Sequence, residues 1–305
     1  MLEREERLAR AESALAGLSV GDAFGDRFFP RDNRGVSPET GVPPAPWVWS
    51  DDTEMACSVV DVLRRFGLID QDALAAAFAH RFDIGRRYGA GAVELLERIR
   101  NGERWRRAAR ELFGGSGSYG NGAAMRVAPL GAFFHDDLER AAEEAALSAG
   151  VTHAHDEGVA GAVAVAVAAA HVTAEQGRVA PEDVIEAALE HTTMGEYVRR
   201  GLRRALRLLS ESPQKAAREL GNGGRISAQD TVPFALWAAA TRLTDYEAAV
   251  RACVMVGGDM DTTAAITGGV VAAHLGVDGI PPAWLEAREP LPGWFAAPAE
   301  RGGPA

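Results

Sequence analysis

Trp49-Ser50-Asp51-Asp52-Thr53-Glu54-Met55-Ala56 runs straight into an apolar pattern through Cys57, Val60 and Leu63. Apolar positions three and four apart mark one face of an α-helix, and a hydroxyl or carboxylate just ahead of them satisfies its first orphan amides. One such group is enough for a cap. Here two adjacent carboxylates and two hydroxyls stand together, so the segment reads either as an Asp-rich cap or as a helix start that carries ligands. Far along the chain, Gly257-Gly258-Asp259-Met260-Asp261-Thr262-Thr263 repeats the grammar, following the apolar run 252–256 and preceding a second helix over 264–275. Its glycines permit tight backbone geometry, and its Asp-x-Asp spacing lets two carboxylates turn toward one point.

Helices dominate the remainder. Ala and Leu fill most non-aromatic apolar positions with Glu and Arg between them, all strong helix formers. The periodicity predicts helices over 3–20, 54–66, 71–82, 90–98, 106–113, 138–148, 158–174, 181–191, 196–209, 232–240, 245–254 and 263–275, and no clear alternating strand. The fold class is therefore all-α. Three irregular segments, 21–50, 114–122 and 221–230, are rich in Gly with Pro, Ser or Asp and are the places where loops can present chemistry.

The 305 residues, 47% hydrophobic and 25% charged, suit one compact domain over 1–297, with 298–305 as a flexible tail. With 43 acidic against 32 basic residues the net charge is −11, which argues against an extended cationic surface for duplex DNA or anionic lipid; no extended nucleic-acid-binding surface is expected. Any phosphate must be gripped locally. The two cysteines, Cys57 and Cys253, lie in apolar stretches, which excludes a disulfide scaffold and points to a reducing, cytoplasmic setting. Residues 1–20 mix charges of both signs and lack the pattern of a secretion signal. The most apolar run, 158–172, contains His171 and falls short of the ~20 residues a bilayer requires. A buried helix is expected there, and no membrane partner.

If the two acidic helix starts meet, four carboxylates share a small volume, and each pair at about 4 Å repels by about 4 kcal/mol at an effective dielectric of about 20. Helix dipoles offset too little of that. Divalent cations solve the problem, and an oxygen donor set of Asp, Ser and Thr selects hard ions, Mg²⁺ or Mn²⁺, over zinc; two ions are expected. Protonated carboxylates are the competing solution. The loop 114–122, Gly114-Gly115-Ser116-Gly117-Ser118-Tyr119-Gly120-Asn121-Gly122, reads either as a linker or as an anion nest whose backbone approaches phosphates, helped by a following helix N-terminus. It lacks the Gly-Lys-Ser/Thr of a Walker loop. Thr152-His153-Ala154-His155 offers an imidazole, His153, for stacking or hydrogen bonding to a ligand, with capping or simple exposure as the alternative for either histidine.

These blocks, in this order, resemble the ADP-ribosylglycohydrolase family: Gly17-Leu18-Ser19-Val20-Gly21-Asp22-Ala23-Phe24-Gly25, Ser50-Asp51-Asp52-Thr53, Arg87-Tyr88-Gly89, Ser118 through Arg126, Thr152-His153 and Gly257 through Thr262. The resemblance spans most of the chain. It implies a compact orthogonal helical bundle with a central binuclear Mg²⁺ or Mn²⁺ site. It further implies that Ser50, Asp51, Asp52, Asp259, Asp261 and Thr262 supply the metal-site oxygens, Asp261 bridging both ions. By the same likeness Ser118, Gly120, Asn121 and Gly122 hold a diphosphate and its ribose, with Tyr119 and His153 against the ligand. Ser50 stands where threonine is usual and keeps the hydroxyl, and Met260 replaces the usual threonine between the two aspartates.

One departure bears on activity. Hydrolases of the family usually carry Gly-Asp-Ala-Leu-Gly-Ala-Pro-x-Glu, whereas residues 21–29 here read Gly-Asp-Ala-Phe-Gly-Asp-Arg-Phe-Phe, with Phe29 at the glutamate position. The expected function is metal-dependent hydrolysis of the glycosidic bond of an ADP-ribosyl conjugate, with Asp52 or Asp26 accepting the proton of the attacking water. The expected partner is an ADP-ribosylated substrate, whether protein, nucleic acid or small molecule. Two rivals stand beside it: a protein that binds ADP-ribose or a related nucleotide with little or no turnover, and a structural protein derived from the enzyme fold.

Overall fold

Residues 4–30, 33, 35–175, 177 and 179–296 are described by the computed structural model; the tail expected over 298–305 lies outside the described residues. The chain folds into helices α1 (Arg4–Asp26), α2 (Asp51–Phe66), α3 (Gln71–Arg81), α4 (Ala90–Arg100), α5 (Trp105–Gly115), α6 (Ala128–Phe133), α7 (Leu138–Gly150) and α8 (Asp156–Ala174). It continues through α9 (Pro181–His191), α10 (Glu196–Leu206), α11 (Pro213–Leu220), α12 (Ala228–Thr241), α13 (Tyr246–Val254), α14 (Met260–Leu275), α15 (Pro282–Ala287) and α16 (Gly293–Ala296). Among the described residues the β features are two isolated bridges, Trp47 with Arg288 and Gly120 with Ser227. The all-α expectation holds.

At the centre α1 and α14 lie in close contact because the side that α1 turns to α14 is glycine. A methyl group added at Gly21 would fall 2.2 Å from the Ala264 carbonyl oxygen, one at Gly25 2.4 Å from that of Met260, and one at Gly17 2.4 Å from that of Gly268. Backbone therefore packs on backbone, a distance no other residue permits. The sequence pattern predicts an end near Val20, where glycines follow, whereas α1 runs to Asp26. Packing against α14 overrides the low intrinsic helix propensity of Gly21 and Gly25.

Around this pair sits an apolar mass drawn from most of the other helices. Helix α8 is the one helix among the described residues long and apolar enough to cross a membrane, but 83% of that stretch is buried inside the protein. Small residues, Ala160 through Ala170, let α7, α12 and α14 close around it. Four helices escaped the sequence reading: α6, α11, α15 and α16. All are short, and α6, α11 and α15 begin at or next to a proline, where periodicity has too few turns to register.

Candidate active site

The segment leading into α2 is fixed from both sides. Trp47 is fully buried, packs edge-on to Phe24 and Trp284, and exchanges backbone hydrogen bonds with the segment after α15: Trp47 N–H donates to Ala287 O at 2.7 Å and Glu289 N–H to Trp47 O at 2.9 Å. The Trp49 N–H donates to Glu289 Oε1, and the Arg86 guanidinium lies 3.3 Å over the Trp49 ring while donating to the Trp49 carbonyl. Ser50 is thereby delivered to a defined place, and it is Ser50 that caps α2, its Oγ accepting from the Asp52 N–H at 3.2 Å. The carboxylates of Asp51 and Asp52 are surplus to capping.

Opposite them α14 begins at Asp259, whose side chain makes no capping bond to its own helix. Asp259 Oδ2 instead accepts from Asn121 Nδ2 at 2.6 Å, and Asp261 Oδ1 accepts from the Thr262 N–H at 2.9 Å. Thr262 Oγ1 donates to Asp52 Oδ1 at 3.5 Å, so residues 210 positions apart touch. Two helix N-termini thus converge on one acidic cluster, each contributing about 0.3–1 kcal/mol toward holding negative charge.

A fifth carboxylate, Asp22, joins the two halves. It is fully buried on α1 and accepts four hydrogen bonds from the start of α2: Ser50 N–H and Oγ at 3.0 and 2.8 Å, Thr53 N–H and Oγ1 at 3.1 and 2.5 Å. Even so, burial and the Asp261 charge push Asp22 up to about 6. Burial and Asp261 likewise push Asp259 up to about 7. Asp51 and Asp52 are raised well above the usual carboxylate range by burial first and then by Asp22 and Asp261. The cluster holds more negative charge than the protein compensates.

No three His, Cys, Asp or Glu side chains among the described residues stand arranged as a ready-made metal site. The donors suit a hard cation in kind. All are oxygens, they repel one another, and Asp52 Oδ2 is buried without a hydrogen-bond partner. Asp51, Asp52, Asp259, Asp261 and Thr262 all face one cavity of about 410 Å³, a volume within the range of small-molecule sites.

The cavity's other walls come from the glycine loop and from α4. Ser118, Tyr119, Gly120, Asn121, Gly122 and His153 all line it. The loop opens where α5 loses helical geometry at Leu112–Gly114 and passes Gly117 at φ 72°; it ends in a 3₁₀ turn, Asn121–Ala123, rather than the α-helix N-terminus expected from the sequence. Arg126 holds it in place. That side chain is fully buried, donates to Gly122 O, Ser148 O and Thr152 Oγ1, and sits 4.5 Å from the Phe78 ring, while burial pulls its pKa down to about 9. His153 Nδ1 pairs with Thr152 Oγ1 at 2.7 Å; burial and the nearby Arg126 push the imidazole down to about 3, so it is a neutral ring near neutral pH. His155 caps α8 and meets Tyr119 edge-on.

Two of the expected site residues stand back from the cavity lining. Asp26 does not line the cavity: its carboxylate is paired with the Arg87 guanidinium, and Arg87, in left-handed backbone at φ 65°, is the residue that faces the ligand space. Ser50 also stays behind the wall, its hydroxyl donating to Asp22 while it accepts from the Asp52 amide. Phe29 is 44% exposed and is absent from the lining. Conversely, Asp22, Arg87 and Arg126 have roles here that their sequence context alone does not assign. Asp22 could have been singled out as a lone carboxylate among Gly, Ala, Val and Phe, where an uncompensated acid is costly.

The fold and cavity define a helical protein that presents an acidic cluster beside a glycine-rich loop in one cavity. The family model described as ADP-ribosylglycohydrolase matches residues 3–301, and the chain belongs to that family. It is similar to the ADP-ribosylhydrolase ARH3 of Xenopus tropicalis, 32% identical over 271 residues that cover 77% of this chain and 76% of the relative. The ADP-ribosylarginine hydrolase Tri1 of Pseudomonas putida is 31% identical over 299 residues, covering 93% of this chain and 76% of its own. A solved structure titled ADP-ribosylglycohydrolase-related protein complex superposes with a TM-score of 0.68 at 27% identity, covering 93% of this chain and 94% of that one.

Proposed function

We propose that this protein hydrolyses the glycosidic bond of an ADP-ribosyl conjugate and releases ADP-ribose, with two Mg²⁺ or Mn²⁺ ions held by Asp51, Asp52, Asp259, Asp261 and Thr262. The carrying observation is the convergence of the α2 and α14 N-termini, with their uncompensated carboxylates, on the cavity bordered by Ser118–Gly122 and His153. Bound cations supply the positive charge that keeps those carboxylates ionised and that polarises water and ribose hydroxyls.

The chain's own groups divide the remaining work. Asp52, whose Oδ2 has no protein hydrogen-bond partner, would also accept the proton of an attacking water. Asn121 spends its Nδ2 on Thr231 Oγ1 and Asp259 Oδ2, which fixes the loop to the acidic cluster and leaves its carbonyl to the ligand. Neutral His153 supplies a flat face against the loop without adding charge beside a diphosphate. Met55, Leu95, Leu96, Leu112 and Met125 keep the cavity apolar between its polar ends. The relatives' names differ in acceptor, and this reading leaves the acceptor open.

A metal-titrated assay of defined ADP-ribosyl conjugates, with product identified by mass spectrometry, tests the proposal. Metal-dependent release of ADP-ribose that disappears in Asp52→Asn and Asp261→Asn supports it; wild-type turnover by either variant overturns the residue assignment. Non-catalytic binding is the second reading, favoured by one observation: with Asp26 bound to Arg87 and Phe29 at the usual glutamate position, no carboxylate outside the cluster reaches the cavity among the described residues. Calorimetric binding of ADP-ribose without turnover of any conjugate selects it.

A further inference from the structure

Beside the cavity, and separated from it by the loop 221–227, lies a groove of about 660 Å³ between α10, α11 and the start of α12. Its walls carry Arg200, Arg204, Arg218 and Arg225 against Glu219 and Asp230. Arg204 is paired with Glu219 at 3.6 Å and donates to its carbonyl, but Arg200, Arg218 and Arg225 have no carboxylate within ion-pair distance among the described residues. In a chain of net charge −11 this concentration of free guanidinium is local and unusual. Tyr197 stands at the edge, 53% exposed, with the Arg200 guanidinium 4.9 Å from its ring centroid. The Gln229 Oε1 in the wall is buried without a partner. Arg225 lines both the cavity and the groove, so the two spaces meet at that loop.

We infer that this groove binds a single-stranded nucleotide chain, its phosphates on Arg200, Arg218 and Arg225 and a base stacked on Tyr197. Guanidinium groups match phosphate oxygens two at a time, and an exposed aromatic ring among them is the pairing that single-stranded nucleic acid uses. An acidic peptide would satisfy the arginines but leave Tyr197 without a flat partner. The acidic remainder of the surface repels a polyanion, which confines binding to the groove. The inference goes beyond hydrolysis: the groove binds whether or not the cavity turns substrate over.

The test is fluorescence anisotropy of the full chain with labelled oligothymidylate and oligouridylate of about eight nucleotides, at saturating ADP-ribose so that the cavity is filled. Saturable binding is expected, weakening with salt at a slope of about −0.7 per phosphate contacted. Arg200→Glu combined with Arg218→Glu should weaken it by about tenfold or more, and Tyr197→Ala by about fivefold or more, with unchanged helical circular dichroism and unchanged affinity for free ADP-ribose. The two oligomers decide between deoxyribose and ribose chains. Absence of saturable binding, indifference to the charge reversal, or equal displacement by an oligoglutamate of the same charge would overturn the inference.

Discussion

Neutralising Asp259 should stabilise the cation-free protein at alkaline pH and do the reverse at acidic pH. Asp259 ordinarily titrates at 3.8 and is raised to about 7 in the fold by burial and by Asp261. A carboxyl raised in the folded state binds its proton more tightly there than in the unfolded chain. Its contribution to stability is therefore full below 3.8 and lost as the pH rises through about 7. At about 1.36 kcal/mol per pH unit, the loss between about pH 5 and about pH 8 is about 3 kcal/mol. Asp22, raised to about 6 by burial and the same Asp261 charge, moves in the same direction.

Wild-type stability alone would not isolate the effect, because His153, lowered to about 3, works the other way: its neutral form is lost to the unfolded state as pH falls below 6.5. The difference between wild type and Asp259→Asn cancels that term. Asparagine keeps an oxygen for Asn121 Nδ2 and does not titrate. Urea denaturation in chelator should show the variant gaining about 3 kcal/mol on wild type from about pH 5 to about pH 8. Adding Mg²⁺ or Mn²⁺ at the upper pH should return the advantage to wild type. Parallel pH profiles for the two proteins would refute a cluster of mutually repelling buried carboxylates.

Asp52→Asn should remove turnover by at least about a thousandfold, a loss of about 4 kcal/mol in transition-state stabilisation, while raising the melting temperature of the cation-free protein; calorimetry and a product assay read both. Asp26→Asn should change turnover by less than about threefold, because its carboxylate is paired with Arg87 outside the cavity, and a loss beyond about a hundredfold would return Asp26 to the reaction. Arg126→Met should cost about 3 kcal/mol of stability and weaken ADP-ribose binding, since it frees the contacts to Gly122, Ser148 and Thr152; titration calorimetry measures the second effect. Gly21→Ala should destabilise by about 2–3 kcal/mol or more in chemical denaturation, from the overlap with the Ala264 carbonyl.

The chemistry of the site was more legible in the chain than its framework. Ser118–Gly122, His153, Asp51, Asp52, Asp259, Asp261 and Thr262 could be marked because loops of glycine and clustered carboxylates have few uses inside a helical protein, and the cavity draws them together. A sequence shows the distance of Asp26 from Phe29 along the chain but not the arginine 61 positions away that pairs with it. Helix α1 was cut short for a related reason. A glycine is a breaker in isolation and a contact surface when a second helix arrives, and only the partner, α14, decides which.

That last point bears on why the acidic cluster exists. Asp22 follows Gly21 on α1, and its charge is felt by Asp51 and Asp52 and its own pKa by Asp261 because the glycine face lets α1 approach the start of α14. Asp22 then spends its lone pairs on Ser50 and Thr53, which anchors α2 at the same place. One carboxylate buried between helices thus sets the relative position of the two N-termini, while its own charge makes their shared acids costlier to ionise. Stability and cation affinity are opposed in such a site: each ångström of separation gained by larger residues at Gly21 or Gly25 would relieve repulsion and spread the donors apart. Gly21→Ala should therefore lower divalent-cation affinity even in the fraction that remains folded. Isothermal titration of Mn²⁺ into the refolded variant measures this, and an affinity equal to wild type would show that the cluster is built by α2 and α14 without α1.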